Sequence, residues 1–269
     1  MKTKIKAFAI LLVFLASCSY VQAQIIHPWK GKKVAYIGDS ITDPRLKQAK
    51  TKWWGFLEEW LDLTSYVYGI SGRQWNDAIN QANKLKAEHG DDVDAIFIYL
   101  GTNDYCHGVP IGEWYTETDA EVYAAQGQPK KMEKRKQRHF IFGNETFKGR
   151  INMALDSIKR MYPTKQIVML TPLHRGRAYF NEKNWQPTED YTNWCGEYLD
   201  PYVDAIKEAG EIWSIPVIDI HALSGLYPMH EVQNTFGHEN DRLHPNDEGM
   251  KRMAKTIYYQ LLALPCTFE

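Results

Sequence analysis

Apolar residues along this chain fall into two patterns that take turns, short unbroken runs and longer stretches with helical spacing. The runs are Val34 to Gly38, Ser65 to Tyr68, Ala95 to Leu100, Gln166 to Leu170 and Pro216 to Ile220. Runs of this length, rich in β-branched and aromatic residues, fit strands covered on both faces. Between the first two, Trp53, Trp54, Phe56, Leu57, Trp60 and Leu61 recur at the spacing of a helix with one buried face. Further helices are predicted over about Trp75 to Glu88, Thr146 to Met161, Pro201 to Trp213 and Asn246 to Leu264, with His89-Gly90 and Pro163 as stops. Five strands separated by helices imply parallel pairing through right-handed crossovers. The predicted fold is therefore α/β, a three-layer α/β/α sandwich around a five-stranded parallel sheet.

The alternation breaks twice, at about 105–142 and 174–197, and both breaks follow strand ends. Excursions this long in a compact domain are usually functional or mobile. Aromatic residues crowd them, and Trp114, Trp185 and Trp194 are the candidates for contact with substrate, since aromatic faces stack on sugar rings or line acyl pockets. Small satellite cores pinning the loops are the alternative use. The basic run from Lys130 to Arg138 is read as a solvated helix face, with a site for an acidic polysaccharide as the alternative.

With 269 residues, 44% of them apolar, the chain can bury a sizeable core, and residues 24–269 read as one domain. A net charge of -1 gives no reason to expect nucleic acid. Three lysines within Met1 to Lys6 precede an apolar run, Ala7 to Ala16, too short to anchor in a bilayer. Residues 1–23 read as a secretory signal, so the expected location is periplasmic, secreted or lipid-anchored at the cell surface. Two processing routes compete. Val21-Gln22-Ala23 offers cleavage before Gln24, while Leu15-Ala16-Ser17-Cys18 resembles a bacterial lipobox in which a lipidated Cys18 would be the membrane anchor. Cys106, Cys195 and Cys266 remain, at spacings that match no zinc site; a Cys106–Cys195 bridge and unpaired thiols are both open.

The chemistry-bearing residues sit at strand ends. Gly38 permits a sharp turn after the first strand, which delivers Ser40 to the carboxyl edge of the sheet, where open α/β sheets bind ligands. A serine hydroxyl is a weak nucleophile without a base. Asp241 and His244, three residues apart before the last helix, can meet on one side of a turn, the carboxylate setting the tautomer that leaves the other ring nitrogen as base. The second and third strands end in Gly69-Ile70-Ser71-Gly72 and Gly101-Thr102-Asn103-Asp104, so Ser40, Gly72 and Asn103 can converge. His107 and His174 also follow strand ends and are expected to face the cleft; neither has a partner at ligand spacing, so no metal and no cofactor are expected.

Gly38-Asp39-Ser40-Ile41-Thr42, Gly69 to Gly72, Gly101 to Asp104 and Asp241 to Asn246, in that order, resemble the four blocks of the SGNH hydrolase superfamily, the GDSL-type esterases and lipases. The resemblance implies a flavodoxin-like sandwich with Ser40 as nucleophile, His244 as general base and Asp241 as its orienter. It also implies oxyanion donors at the Ser40 amide, the Gly72 amide and the Asn103 side chain. The chain departs from the pattern at Asp43-Pro44-Arg45, where the family often has glycine, and at Tyr68, where asparagine often precedes the second block's glycine. The expected activity is hydrolysis of a short acyl ester, acetyl first, on a carbohydrate or small molecule, through an acyl-enzyme. A lipase or lysophospholipase, and a glycan-binding module without turnover, are the alternatives.

Overall fold

The computed structural model describes residues 26–127 and 129–268; the predicted signal segment, with Cys18, lies outside the described residues. In chain order the elements begin with β1 (Lys33–Gly38), α1 (Trp53–Leu61), β2 (Thr64–Val67), α2 (Ala78–His89), β3 (Ala95–Tyr99) and α3 (Thr102–Cys106). Next come β4 (Tyr115–Ala124), β5 (Lys131–Phe140), α4 (Phe147–Met161), β6 (Gln166–Leu170), β7 (Ala178–Asn181) and β8 (Asn184–Gln186). The chain closes with α5 (Asp200–Trp213), β9 (Val217–Ile218), α6 (Ile220–Leu223) and α7 (Asp247–Ala263).

The main sheet has five parallel strands in the order β2-β1-β3-β6-β9. The order reverses direction between β1 and β3, and the crevice outside their carboxyl ends is where such sheets hold ligands. Alternation along each strand explains why the runs read as continuously apolar. Ala35, Ile37, Ile96, Ile98, Ile167 and Met169 face a core completed by α2, α4 and α5. Their neighbours Val34, Tyr36, Phe97, Val168 and Leu170 face a second core completed by α1 and α7. Thr146 and Asn246 cap α4 and α7, each side chain accepting from the backbone N–H three residues on, Gly149 and Gly249.

The segment before β1 is packed, with Trp29 buried against Phe97 and Phe268. Two expectations need correction. The basic run is a strand and not a helix face. It forms β5 of an antiparallel hairpin whose register sets Glu117 opposite Arg138, Asp119 opposite Lys136 and Glu121 opposite Lys134. Ion pairs of 3.1 Å (Glu117–Arg138) and 2.9 Å (Asp119–Lys136) tie the strands together, so much of the positive charge is answered across the hairpin. The signal for it lies in the β-prone residues Thr116, Thr118, Val122 and Tyr123, interleaved with acids that complement the later bases. Finally, Trp114 is buried and donates its indole N–H to Glu208 at 2.6 Å, where it pins the first excursion to α5.

Candidate active site

Ser40 stands two residues beyond β1, on a turn that tolerates no side chain at Gly38: a Cβ there would lie 2.7 Å from Thr42 Cβ and 3.1 Å from the Tyr99 carbonyl oxygen. The backbone at this point is held by a side chain that sequence reasoning missed. Gln81, buried on α2, accepts from Gly38 N–H at 2.8 Å and donates to Gly38 O at 3.0 Å. Its signal was a polar residue set among Ala78, Ala82 and Leu85 on the buried face of that helix. Asp39 Oδ1 accepts from the Ile41 amide at 3.0 Å and closes the turn. Burial, opposed by that amide and reinforced by the nearby charge of Asp104, pushes the Asp39 carboxyl up to about 7.

The departure at Asp43-Pro44-Arg45 becomes a tie between loops. Asp43, buried, accepts from the Ser71 amide at 2.8 Å and from Arg45 through its amide and guanidinium, at 2.6 to 2.9 Å. Burial works against its charge, yet these hydrogen bonds win and hold the carboxyl below its ordinary value.

Asp241 and His244 meet as predicted, and His244 meets Ser40. Asp241 Oδ2 lies 2.7 Å from His244 Nδ1, and His244 Nε2 lies 2.8 Å from Ser40 Oγ. A carboxylate can only accept, so Nδ1 carries the proton and Nε2 is left to accept from the serine hydroxyl. The second oxygen, Oδ1, accepts from the amides of Leu243 and His244 at 3.2 and 3.1 Å. Burial raises the Asp241 carboxyl, but the His244 ring and these amides outweigh it and leave the group below its usual value. The turn is braced from behind by the second excursion. Gly176 N–H donates to Arg242 O, Arg242 N–H to Arg177 O, and Tyr179 N–H to Asn240 O, at 3.1, 2.9 and 2.7 Å.

Gly72 and Asn103 arrive at the same cleft as Ser40 and His244, an open space of about 860 Å³. Gly72 has φ +77°, a conformation that favours glycine, and nothing stands within 4 Å of where its Cβ would be. The Asn103 amide donates to Arg73 O at 3.1 Å, which leaves one of its two N–H groups to spare. The two loops are stitched together. Gln74 donates to Asn103 O at 3.1 Å, and Asp104 accepts from the Trp75 amide at 3.1 Å and from Arg150 at 2.9 Å. Burial pushes Asp104 up to about 6 despite the Arg150 guanidinium.

The cleft walls come mainly from the second excursion. Phe180, Lys183, Trp185 and Trp194 line it, with Trp185 63% and Trp194 91% exposed, while Trp114 does not line it. His107 faces the cleft as expected, and Cys106, Cys195 and Cys266 are free thiols. His174 lines a smaller neighbouring cavity, which His244 also borders. Folding gives His174 the partners that its neighbours in sequence did not supply, Glu189 at 2.5 Å and the ring of His221 at 3.5 Å between centroids.

The fold is similar to that of solved structures. A protein from Lactobacillus plantarum is 22% identical with a TM-score of 0.65, the match covering 87% of this chain and 98% of that one. A possible lipase from Chitinophaga pinensis is 19% identical with a TM-score of 0.63, over 87% and 100%. The lipase/acylhydrolase from Enterococcus faecalis is 15% identical with a TM-score of 0.52, over 86% and 96%. No curated protein matches the chain. The model of the GDSL-like Lipase/Acylhydrolase family matches residues 36–252, a span that runs from within β1 through the turn carrying Asp241 and His244 into α7. With four blocks in order and a fold to match, this chain belongs to the GDSL-like lipase/acylhydrolase family of ester-hydrolysing enzymes.

Proposed function

We propose that the chain is an exported serine esterase that removes a short acyl group, acetyl foremost, from a carbohydrate ester. Ser40 Oγ attacks the ester carbonyl as His244 Nε2 takes its proton, and the negative charge that develops on the carbonyl oxygen is met by the amides of Ser40 and Gly72 and the side chain of Asn103. His244 then returns the proton to the departing alcohol, which leaves an acyl-Ser40. Water, deprotonated by the same nitrogen, attacks that ester, releases the acid and restores the serine hydroxyl. Asp241 holds the ring and stabilises its protonated form.

The observation that carries this reading is the unbroken line of bonds from Asp241 Oδ2 through His244 to Ser40 Oγ at 2.7 and 2.8 Å. The substrate class rests on the cleft. A long acyl chain calls for an aliphatic sleeve, whereas the lining offers two leucines, Leu46 and Leu243, beside exposed indoles suited to sugar faces. Export rests on the pattern of residues 1–23. Acetate release from a panel of acetylated polysaccharides, with Ser40→Ala as control, tests the reading. A rate on nitrophenyl esters that climbs toward long chains would replace it with a lipase, and glycan binding without any ester turnover would replace it with a binding module.

A further inference from the structure

We propose that His174, Glu189 and His221 form a binding site for a divalent transition-metal ion, Zn²⁺ in the first place, that staples the base of the second excursion to the sheet edge. The three residues come from separate stretches: His174 from the segment after β6, Glu189 from the loop after β8 and His221 from α6. Each offers one ligand atom, and the three atoms lie within 4.8 Å of one another in a partly buried setting. Two imidazoles and one carboxylate make a donor set that binds Zn²⁺ and leaves a further position for water.

The surroundings orient these donors. Glu189 Oε2 accepts from the Arg175 amide at 2.6 Å, which turns Oε1 toward His174 Nδ1. His221 Nδ1 lies 3.2 Å from the Pro172 carbonyl, an acceptor only, so that nitrogen carries the proton and Nε2 keeps its lone pair. A backbone carbonyl on the far nitrogen is the outer support that metal-bound histidines commonly have. The His221 amide is itself held by Thr171 Oγ1 at 3.0 Å, which steadies the first turn of α6. His174 Nδ1 and Glu189 Oε1 lie 2.5 Å apart, within hydrogen-bond distance; an ion would take the place of the proton between them as the two atoms part by about an ångström.

Closing the chain between residues 174 and 189 ties down the root of the β7–β8 hairpin, which carries Phe180 and Trp185 to the cleft. The proposal stands apart from the choice of substrate. It is tested by titrating tag-free, chelator-stripped protein with Zn²⁺ in a calorimeter, alongside thermal melts with and without the ion. One equivalent bound per chain and a raised melting temperature are expected, with Co²⁺ giving the visible bands of a low-coordinate site. Glu189→Gln and His221→Ala should each weaken binding by about tenfold or more, while His107→Ala, in the cleft but outside the cluster, should not. Absence of one-to-one binding by the unmodified chain, or binding retained when Glu189 and His221 are both replaced, would overturn it and leave a His–Glu pair stacked on a second histidine.

Discussion

Replacing Gln81 with leucine isolates how far the position of Ser40, the proposed nucleophile, depends on one side chain from the neighbouring helix. Leucine fits the apolar face of α2 without opening a large cavity, so the change is chiefly in hydrogen bonding. Gly38 O keeps the Ile70 amide at 3.0 Å, but Gly38 N–H loses its acceptor inside the protein. A buried donor left without a partner costs about 1 to 3 kcal/mol. For a domain of this size that corresponds to a fall in melting temperature of about 2 to 12 °C. Ser40 lies two residues on, and a displacement of about 1 Å at a reacting group is enough for a hundredfold loss of rate. Gln81→Leu should therefore unfold at lower urea and lose about ten- to a hundredfold in kcat on nitrophenyl acetate, with KM little changed. Should the variant melt within about 1 °C of the parent and keep its kcat, the pairing of β1 with its neighbouring strands would be holding the serine without Gln81, and the argument for Gln81 would fail.

Asp241→Asn keeps an acceptor for the amides of Leu243 and His244 but presents N–H to His244 Nδ1, so kcat should fall by about ten-thousandfold while the melting temperature barely moves. Asp39 and Asp104 bind protons more tightly when folded, so stability should decline as pH rises from the ordinary carboxylate value toward about 7, and Asp39→Asn should flatten that slope in urea titrations across pH. Asp43 and Asp241 act in the opposite sense: held below their ordinary values, they contribute stability above those values that is lost as pH falls through the folded-state ones, which acid unfolding of Asp43→Asn would register as a smaller loss. Trp185→Ala and Trp194→Ala should raise KM on acetylated oligosaccharides and spare nitrophenyl acetate; Trp114→Phe, which loses only the bond to Glu208, should leave both KM values alone and lower the melting temperature.

What could be read in advance follows from how local each signal is. Strands buried on both faces announce themselves as apolar runs, and all five runs fall within a residue or two of the observed strands, the last trimmed at both ends to Val217–Ile218 at the sheet edge. Once the strands are known to be parallel, their carboxyl ends share one edge, which was enough to gather Ser40, Gly72 and Asn103, while His244 joined them through the family resemblance of the turn before α7. Gln81, Glu189 and His221 escaped because each acts on a partner far away in sequence through a side chain that looks ordinary in its own helix or loop. The hairpin β4–β5 escaped for another reason. Its faces are largely exposed, so no apolar alternation marks it, and its complementarity is a pairing of charges across a turn.

The second excursion has two tasks that share one backbone. Its first residues pair with the turn that carries Asp241, through the bonds of Gly176 and Tyr179 and the bridge of Ala178 to Asp241, and its next residues supply Phe180 and Trp185 to the cleft. The Phe180 ring stands 5.8 Å from the His244 ring, so the cleft wall also packs on the imidazole. Arg175, buried, bonds to Thr102 beside Asn103 and to Gln186 at the end of the hairpin. A change in this segment therefore reaches His244 through the backbone, Asn103 through Arg175 and the cleft through the indoles. On the proposed mechanism, substrate range and catalytic geometry are for that reason coupled: reshaping the wall while sparing the turn requires substitutions that begin beyond Tyr179, on the residues that touch the cleft and not the strand pairing behind Asp241.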